Sequence, residues 1–214
     1  MSSPLSFEFT NSWFESSARP TWDQLIPQLK PKRILEIGSY EGASTCYLID
    51  KLASQEGQIE IHSIDTWEGG LEHQQGGIAQ ADMSEVEKRF CSNTELAMAA
   101  KAPAEVKLVR HKDFSYKALA RLLDNGKESF FDFVYIDGSH QAVDVITDAI
   151  MSYYLVRKDG ILAFDDYNWS EFAGERRDPL RCPKLAIDSF SNIFFRKVVA
   201  LKVPLYQVYF RKIA

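Results

Sequence analysis

Polar and apolar positions change period repeatedly along this chain, and the changes mark out alternating strands and helices. Ile34-Leu35-Glu36-Ile37 is a short apolar run opened by Pro31 and closed by Gly38, which predicts a strand. Leu48, Ile49 and Leu52 share one face of a helix predicted over 43–53, with Gly57 beyond its end. A strand follows at 59–64, then a Gly- and Gln-rich loop at 66–79, too long for a simple connection and therefore a candidate for function. The pattern continues with a helix at 81–100, a strand at 106–109 and a helix at 116–123. Phe131 to Ile136 is the clearest strand of the chain. After it, Ala142, Ile146, Ala149, Ile150 and Tyr153 form one helical stripe. A strand at 161–164, a polar segment, a helix at 185–193 and two alternating runs (197–203 and 205–211) joined at Pro204 complete the series.

Strands this apolar, separated by helices, belong to a parallel sheet covered on both faces. The reading is one α/β domain, a Rossmann-like three-layer sandwich over 31–214 whose terminal hairpin adds an antiparallel edge. Residues 1–30 form an N-terminal extension. Its aromatics Phe7, Phe9, Trp13, Phe14 and Trp22 predict that it packs near the active site.

Composition narrows the function by exclusion. The chain has 214 residues, 45% of them hydrophobic, and 25 Lys and Arg stand against 30 Asp and Glu. A net charge of −5 argues against a nucleic-acid-coating surface and against a polybasic membrane anchor. No apolar run reaches the roughly 20 residues of a membrane span, and the N-terminus lacks the pattern of a secretory signal. Cys46, Cys91 and Cys182 are too widely spaced for a zinc site or a disulfide framework, so they read as packing residues in a reducing, cytoplasmic setting. Oligomeric state, including a homo-oligomer, is left open.

Ligands of open α/β sheets bind at the carboxyl ends of the strands. Those ends carry Gly38-Ser39-Tyr40-Glu41-Gly42, Asp65-Thr66-Trp67, Asp113-Phe114-Ser115, Asp137-Gly-Ser-His140 and Asp165-Asp166. An acidic residue recurs at every one. Dinucleotide binding by GxGxxG is disfavoured, because Tyr40 and Ala43 stand where its second and third glycines belong. Glu41 beside a helix N-terminus would repel a pyrophosphate, and no Lys or Arg lies between Arg33 and Lys51. A phosphate-free, cationic cofactor such as S-adenosylmethionine suits these edges better.

The run Glu36-Ile-Gly38-Ser-Tyr-Glu-Gly42 resembles the first motif of class I S-adenosylmethionine-dependent methyltransferases. Phe133-Val-Tyr-Ile-Asp137-Gly-Ser-His140 with Gly160-Ile-Leu-Ala-Phe-Asp165-Asp166 is similar to macrocin-type sugar O-methyltransferases and relatives of catechol O-methyltransferase. The latter carry Asn where Asp166 stands, which brings the chain nearer the sugar-modifying branch. The resemblance implies a seven-stranded sheet ending in a reversed hairpin. It also implies that Glu36, Gly38, Ser39, Tyr40 and Gly42 line the methionine and ribose end of the cofactor. Asp65 would hold the ribose, with Thr66 and Trp67 beside it, Asp113, Phe114 and Ser115 near the adenine, and Asp137 at the reacting end.

Crowded carboxylates need a proton or a cation between them. Asp137, Asp165 and Asp166, all-oxygen ligands, therefore suit Mg²⁺ or another divalent ion. His140, three residues past Asp137, is the candidate general base for deprotonating a small-molecule hydroxyl acceptor, with Asp137 as its catalytic partner. Each feature also has a plainer reading. The glycines serve any strand–helix turn, the Asp residues can cap helices, His140 can be structural, and Trp67 and Trp169 can pack a lid instead of clamping substrate. Arg176, Arg177 and Arg181 read as a solvated basic loop. A nicotinamide-dependent oxidoreductase and a non-catalytic S-adenosylmethionine-binding module are the alternatives at this point.

Overall fold

The computed structural model describes residues 6–99, 105–172, 174–204 and 206–214. Helices α1 (Trp13–Ser16) and α2 (Arg19–Leu29) precede a regular alternation. It runs β1 (Arg33–Ile37), α3 (Ala43–Leu52), β2 (Gln58–Asp65), α4 (Met83–Ala99), β3 (Glu105–Lys112), α5 (Ser115–Asp124), β4 (Phe131–Ile136), α6 (Ala142–Leu155) and β5 (Val156–Phe164). Then come α7 (Pro183–Ile193), β6 (Val198–Ala200) and β7 (Val208–Lys212).

The strands form one seven-stranded sheet in the order β3-β2-β1-β4-β5-β7-β6, parallel except for β7, which runs antiparallel to both β5 and β6. This is the predicted architecture. The order reverses between β1 and β4, so the loops after these strands diverge and leave the crevice in which such sheets take ligands.

Period-2 alternation decides which face each strand residue serves, even inside unbroken apolar runs. In β1 and β4, Leu35, Ile37, Val134 and Ile136 pack beneath α5, α6 and α7, against Leu119, Val145 and Phe190. Ile34, Phe133 and Tyr135 face the other way, onto Leu48 and Ile49 of α3 and Trp22 of α2. Strand β3 lies at the sheet edge and is only partly buried along its length.

The extension supplies part of the second layer. Trp22 is fully buried, stands edge-on to Phe133 and Tyr135 at centroid distances of 5.2 and 4.8 Å, and donates its indole N–H to the Tyr209 hydroxyl at 2.9 Å. Neither helix of this segment is marked by the sequence pattern. A lone buried face on a short helix gives too few periodic positions to stand out.

Other differences sit at element ends. Strand β5 begins five residues before the predicted 161, continuing directly from α6. The terminal hairpin is shorter than its two alternating runs, and 201–207 form the connection, Leu205 lying outside the described residues. Proline lacks the N–H a ladder needs, so Pro204 shortens both strands. The predicted helix at 81–100 is observed as α4, with Ala100 outside the described residues. No helix among the described residues is long and apolar enough to cross a membrane.

Candidate active site

The loop after β1 is built on a close approach that only glycine permits. Gly38 has φ +85°, and a Cβ there would lie 2.0 Å from the carbonyl oxygen of Asp137. The backbone ties are mutual. Gly38 donates its N–H to the Ile64 carbonyl at 2.9 Å, and Asp137 donates to the Ile37 carbonyl at 2.8 Å. The ends of β1, β2 and β4 are thereby locked into one surface.

Asp65 holds this loop from the β2 side. Its Oδ2 accepts the Ser39 and Tyr40 N–H groups, each at 2.9 Å, and its Oδ1 accepts that of Trp67 at 2.7 Å. Oδ1 keeps capacity for a further donor. Glu36 is fully buried and accepts hydroxyl hydrogen bonds from Ser39 at 2.8 Å, from Ser63 at 3.1 Å, and from Ser44 and Thr45. Burial pushes its pKa up, and the four hydroxyls pull against that. Its carboxylate thus braces the loop from beneath.

Glu41 does not act as an open repulsive charge. It accepts from the Thr10 N–H and hydroxyl, both at 2.7 Å, and from Arg89 Nε at 2.6 Å. The neutralising cation comes from α4, 48 residues along the chain, which no local motif reveals. Trp67 is buried against Phe90 and donates its indole N–H to the Tyr40 carbonyl at 2.9 Å. Thr66 Oγ1 accepts the Glu68 N–H at 3.1 Å. At the end of β3, Asp113 pairs with Arg121 at 2.8 Å, Phe114 is exposed, and Ser115 opens α5. Gly42, with φ +82°, caps the start of α3.

Because β4 and β5 are neighbours, their acidic ends meet. Tyr135, on the strand itself, brings Asp137 and Asp165 together: its hydroxyl lies 3.0 Å from Asp137 Oδ2 and also bonds Asp165 Oδ2. One phenol carries one proton and cannot donate to both, so the second contact calls for a carboxyl proton. Burial and the charges of Asp165 and Asp166 drive the Asp137 pKa well above the ordinary carboxylate range. Burial and Asp166 push Asp165 up to about 6, against hydrogen bonds from Tyr135, the Asp166 N–H and Gln207. Asp166, held at φ +56°, accepts from Tyr206 at 3.1 Å and lies 2.9 Å from His140 Nε2. The arrangement concentrates negative charge on Asp137 and Asp165, whose partners are a phenol, an amide and a backbone N–H, while His140, the one cation of the corner among the described residues, faces Asp166. Among the described residues no three His, Cys, Asp or Glu side chains converge on a single metal position; each carboxylate is turned toward a protein donor.

His140 is sandwiched. Its ring stacks on Trp169 at 3.7 Å, Nε2 faces Asp166, and Nδ1 lies 3.3 Å from Glu72 Oε1. Burial would lower its pKa, but the two carboxylates raise it to about 9, so in this arrangement the ring is an imidazolium. A void of only about 10 Å³ remains between His140, Asp137, Asp165 and Asp166. Glu72, Tyr135, Tyr206 and Gln207 are site residues that sequence reasoning passed over. Tyr135 was legible only as a strand residue, and Glu72 carried no signal beyond lying in the suspect 66–79 loop.

A methyltransferase-domain family model matches residues 35–167. The protein y4gI of Sinorhizobium fredii is 26% identical over 148 residues, which cover 69% of this chain and 14% of that protein, so the chain spans about a seventh of this curated relative. Among solved structures, a Bacillus cereus O-methyltransferase in complex with S-adenosylhomocysteine superposes with a TM-score of 0.62 at 16% identity, over 98% of this chain and 84% of that one. The O-methyltransferase TomG of Streptomyces achromogenes, involved in tomaymycin synthesis and solved with S-adenosylmethionine, gives 0.58 at 17% identity, over 89% and 77%. With its glycine loop, its strand-end acids and the family match falling on one contiguous stretch, the chain belongs to the methyltransferase-domain family.

Proposed function

We propose that this protein transfers a methyl group from S-adenosylmethionine to a hydroxyl of a small molecule, sugar or natural product in type, at the carboxyl edge of its sheet. One observation carries the reading: the glycine loop and Asp65 adjoin a corner of three crowded carboxylates at β4 and β5. The O-methyltransferase neighbours with bound S-adenosylmethionine or S-adenosylhomocysteine support it. The dinucleotide alternative has no comparable support, since its glycines are missing and the family match is to methyltransferases.

The residues present fit the cofactor. Asp65 Oδ1 retains an acceptor position for a ribose hydroxyl, and acidic strand ends favour a sulfonium and an amine over phosphates. S-adenosylmethionine supplies an electrophilic methyl on a positively charged sulfur. The loop from Gly38 to Gly42 would orient it, while Trp67 walls the site from solvent. The acceptor oxygen forms the new bond to the methyl carbon as the bond to sulfur breaks, and its proton has to leave. In this reading His140 would take that proton, once its two carboxylate partners cease to hold it as an imidazolium. Holding both reactants in line supplies much of the acceleration.

The donor set of Asp137, Asp165 and Asp166 fits a divalent cation such as Mg²⁺ in its chemistry, three hard oxygen ligands crowded at one corner. A cation held there would lower the pKa of a hydroxyl beside it. The free cysteines Cys46, Cys91 and Cys182 fit a cytoplasmic setting, with burial holding the Cys46 thiol up to about 12 and hence inert.

Calorimetric titration with S-adenosylhomocysteine tests the core of this reading. Asp65→Ala should weaken binding roughly tenfold or more, since it removes a ribose acceptor and unties Ser39 and Tyr40. A wild-type protein that takes up neither S-adenosylmethionine nor S-adenosylhomocysteine ends it.

A further inference from the structure

Residues 69–78 reverse the usual sorting of side chains. Leu71 and Ile78 are 54% and 64% exposed, whereas Glu72 is 6% exposed. Apolar burial therefore does not hold this segment in place, and a buried acid is the informative feature. Its hydrogen bonds stay local, within the segment and to the adjoining 79–81: Gly70 donates to His73 Nδ1 at 3.1 Å and Gly76 to Gln80 Oε1 at 2.9 Å, while Ala79 donates to the Glu72 carbonyl at 2.9 Å and Ala81 to that of His73 at 3.3 Å. Its attachments to the body are few. Glu72 reaches His140 at 3.3 Å, and the His73 ring sits 5.4 Å from Tyr40 and 6.1 Å from Trp13. Two glycine pairs, Gly69-Gly70 and Gly76-Gly77, bracket it, with Gly69 and Gly76 at φ +77° and +83°.

We propose that residues 69–77 are a lid hinged at these glycine pairs, and that Glu72 is the latch that fastens it to His140 over the Asp137–Asp165–Asp166 corner. Glu72 and Asp166 occupy the two nitrogens of His140 and Trp169 covers its ring, so an acceptor that is to meet His140 requires the lid to leave. The latch is built to release. Glu72 Oε1 stands within ion-pair distance of His140 Nδ1, yet that nitrogen makes no aligned hydrogen bond. A segment with little apolar contact belongs to the part of a protein that opens first. The proposal rests on reading this corner as the active site.

Gly70 provides a second handle. Its backbone, at φ −78° and ψ −176°, suits any residue, but a Cβ would fall 2.5 Å from Glu72 Oε1 and 2.7 Å from Oε2. Gly70→Ala should expel the latch without touching its chemistry, and Glu72→Gln removes its charge without changing its size. Amide hydrogen exchange on the full chain reads the result. In both variants amides of 69–77 should exchange roughly three- to tenfold faster than in the parent, with α4 unchanged and the melting midpoint within about 3 °C. Parent-like protection in either variant overturns the latch, as do parent amides exchanging at unstructured rates. S-adenosylhomocysteine titration of the parent separates the two ideas. A flat titration with variant-sensitive exchange sinks the functional reading alone, and binding with insensitive exchange sinks the latch alone.

Discussion

The amino edge of the sheet and the β4–β5 corner of its carboxyl edge treat their carboxylates in opposite ways. At the amino edge Asp132 and Glu60 have been given cations, amides or both. Asp132 accepts the Lys32 and Arg33 N–H groups at 2.8 Å each and Arg157 Nε at 2.6 Å. Burial alone would raise its pKa; these partners lower it instead. Glu60, likewise raised by burial, is brought down to about 2 by hydrogen bonds from His62 and Lys127. At the carboxyl edge, Asp137 and Asp165 share one phenol and rise. Carboxylates at the first edge contribute to folding. At the second, Asp137 and Asp165 cost stability, a cost kept at the edge where such sheets bind ligands.

The largest test of this contrast is Asp137→Asn. Removing one of three crowded charges should raise the melting midpoint at pH 8 while weakening divalent binding, followed by Mn²⁺ paramagnetic resonance, roughly 100-fold or more. A variant that is less stable and still binds Mn²⁺ like the parent breaks the comparison.

Asp148 sharpens it next. This buried acid of α6 has Oδ1 unpartnered, and burial pushes its pKa up to about 7. A raised folded-state pKa means the folded protein binds the proton more tightly than the unfolded chain. The carboxylate therefore costs nothing at low pH, and its penalty grows from about pH 4 and is complete above about pH 7. Asp148→Asn should stabilise the protein by roughly 2–4 kcal/mol at pH 8, a gain that vanishes near pH 4 in paired urea titrations.

The amino edge predicts the reverse sign with a smaller size. Glu60, lowered to about 2 and mostly buried, contributes stability that is full above about pH 4.5 and lost as pH falls through about 2. Glu60→Gln should cost roughly 1–3 kcal/mol at pH 7 by the same titrations, with the cost fading in acid. Equal urea midpoints at pH 7 would show that His62 and Lys127 do not stabilise this acid.

Much of the fold was legible because it rests on local rules. The apolar period marked β1 and β4, and Gly38 marked the turn between β1 and α3. The acid at each strand end was readable once a parallel sheet was inferred, since such a sheet sends all those ends to one edge. What escaped depended on distance along the chain. Arg89 neutralises Glu41 from 48 residues away, and Trp22 reaches Tyr209 from 187 residues away. Glu72 enters the site from a loop with no periodicity.

Sequence by itself determined the element types, the sheet and the set of acids at its carboxyl edge, because secondary structure follows from periodicity and glycine geometry over a few residues. Tertiary structure alone decided which of those acids are balanced. Charge compensation is a matter of a few ångströms in space, and the chain sets that distance only when it folds. Glu36, Glu41 and Asp65 receive their donors and become part of the scaffold. Asp137, Asp165 and Asp166 are left crowded, with Glu72 closing over them through His140.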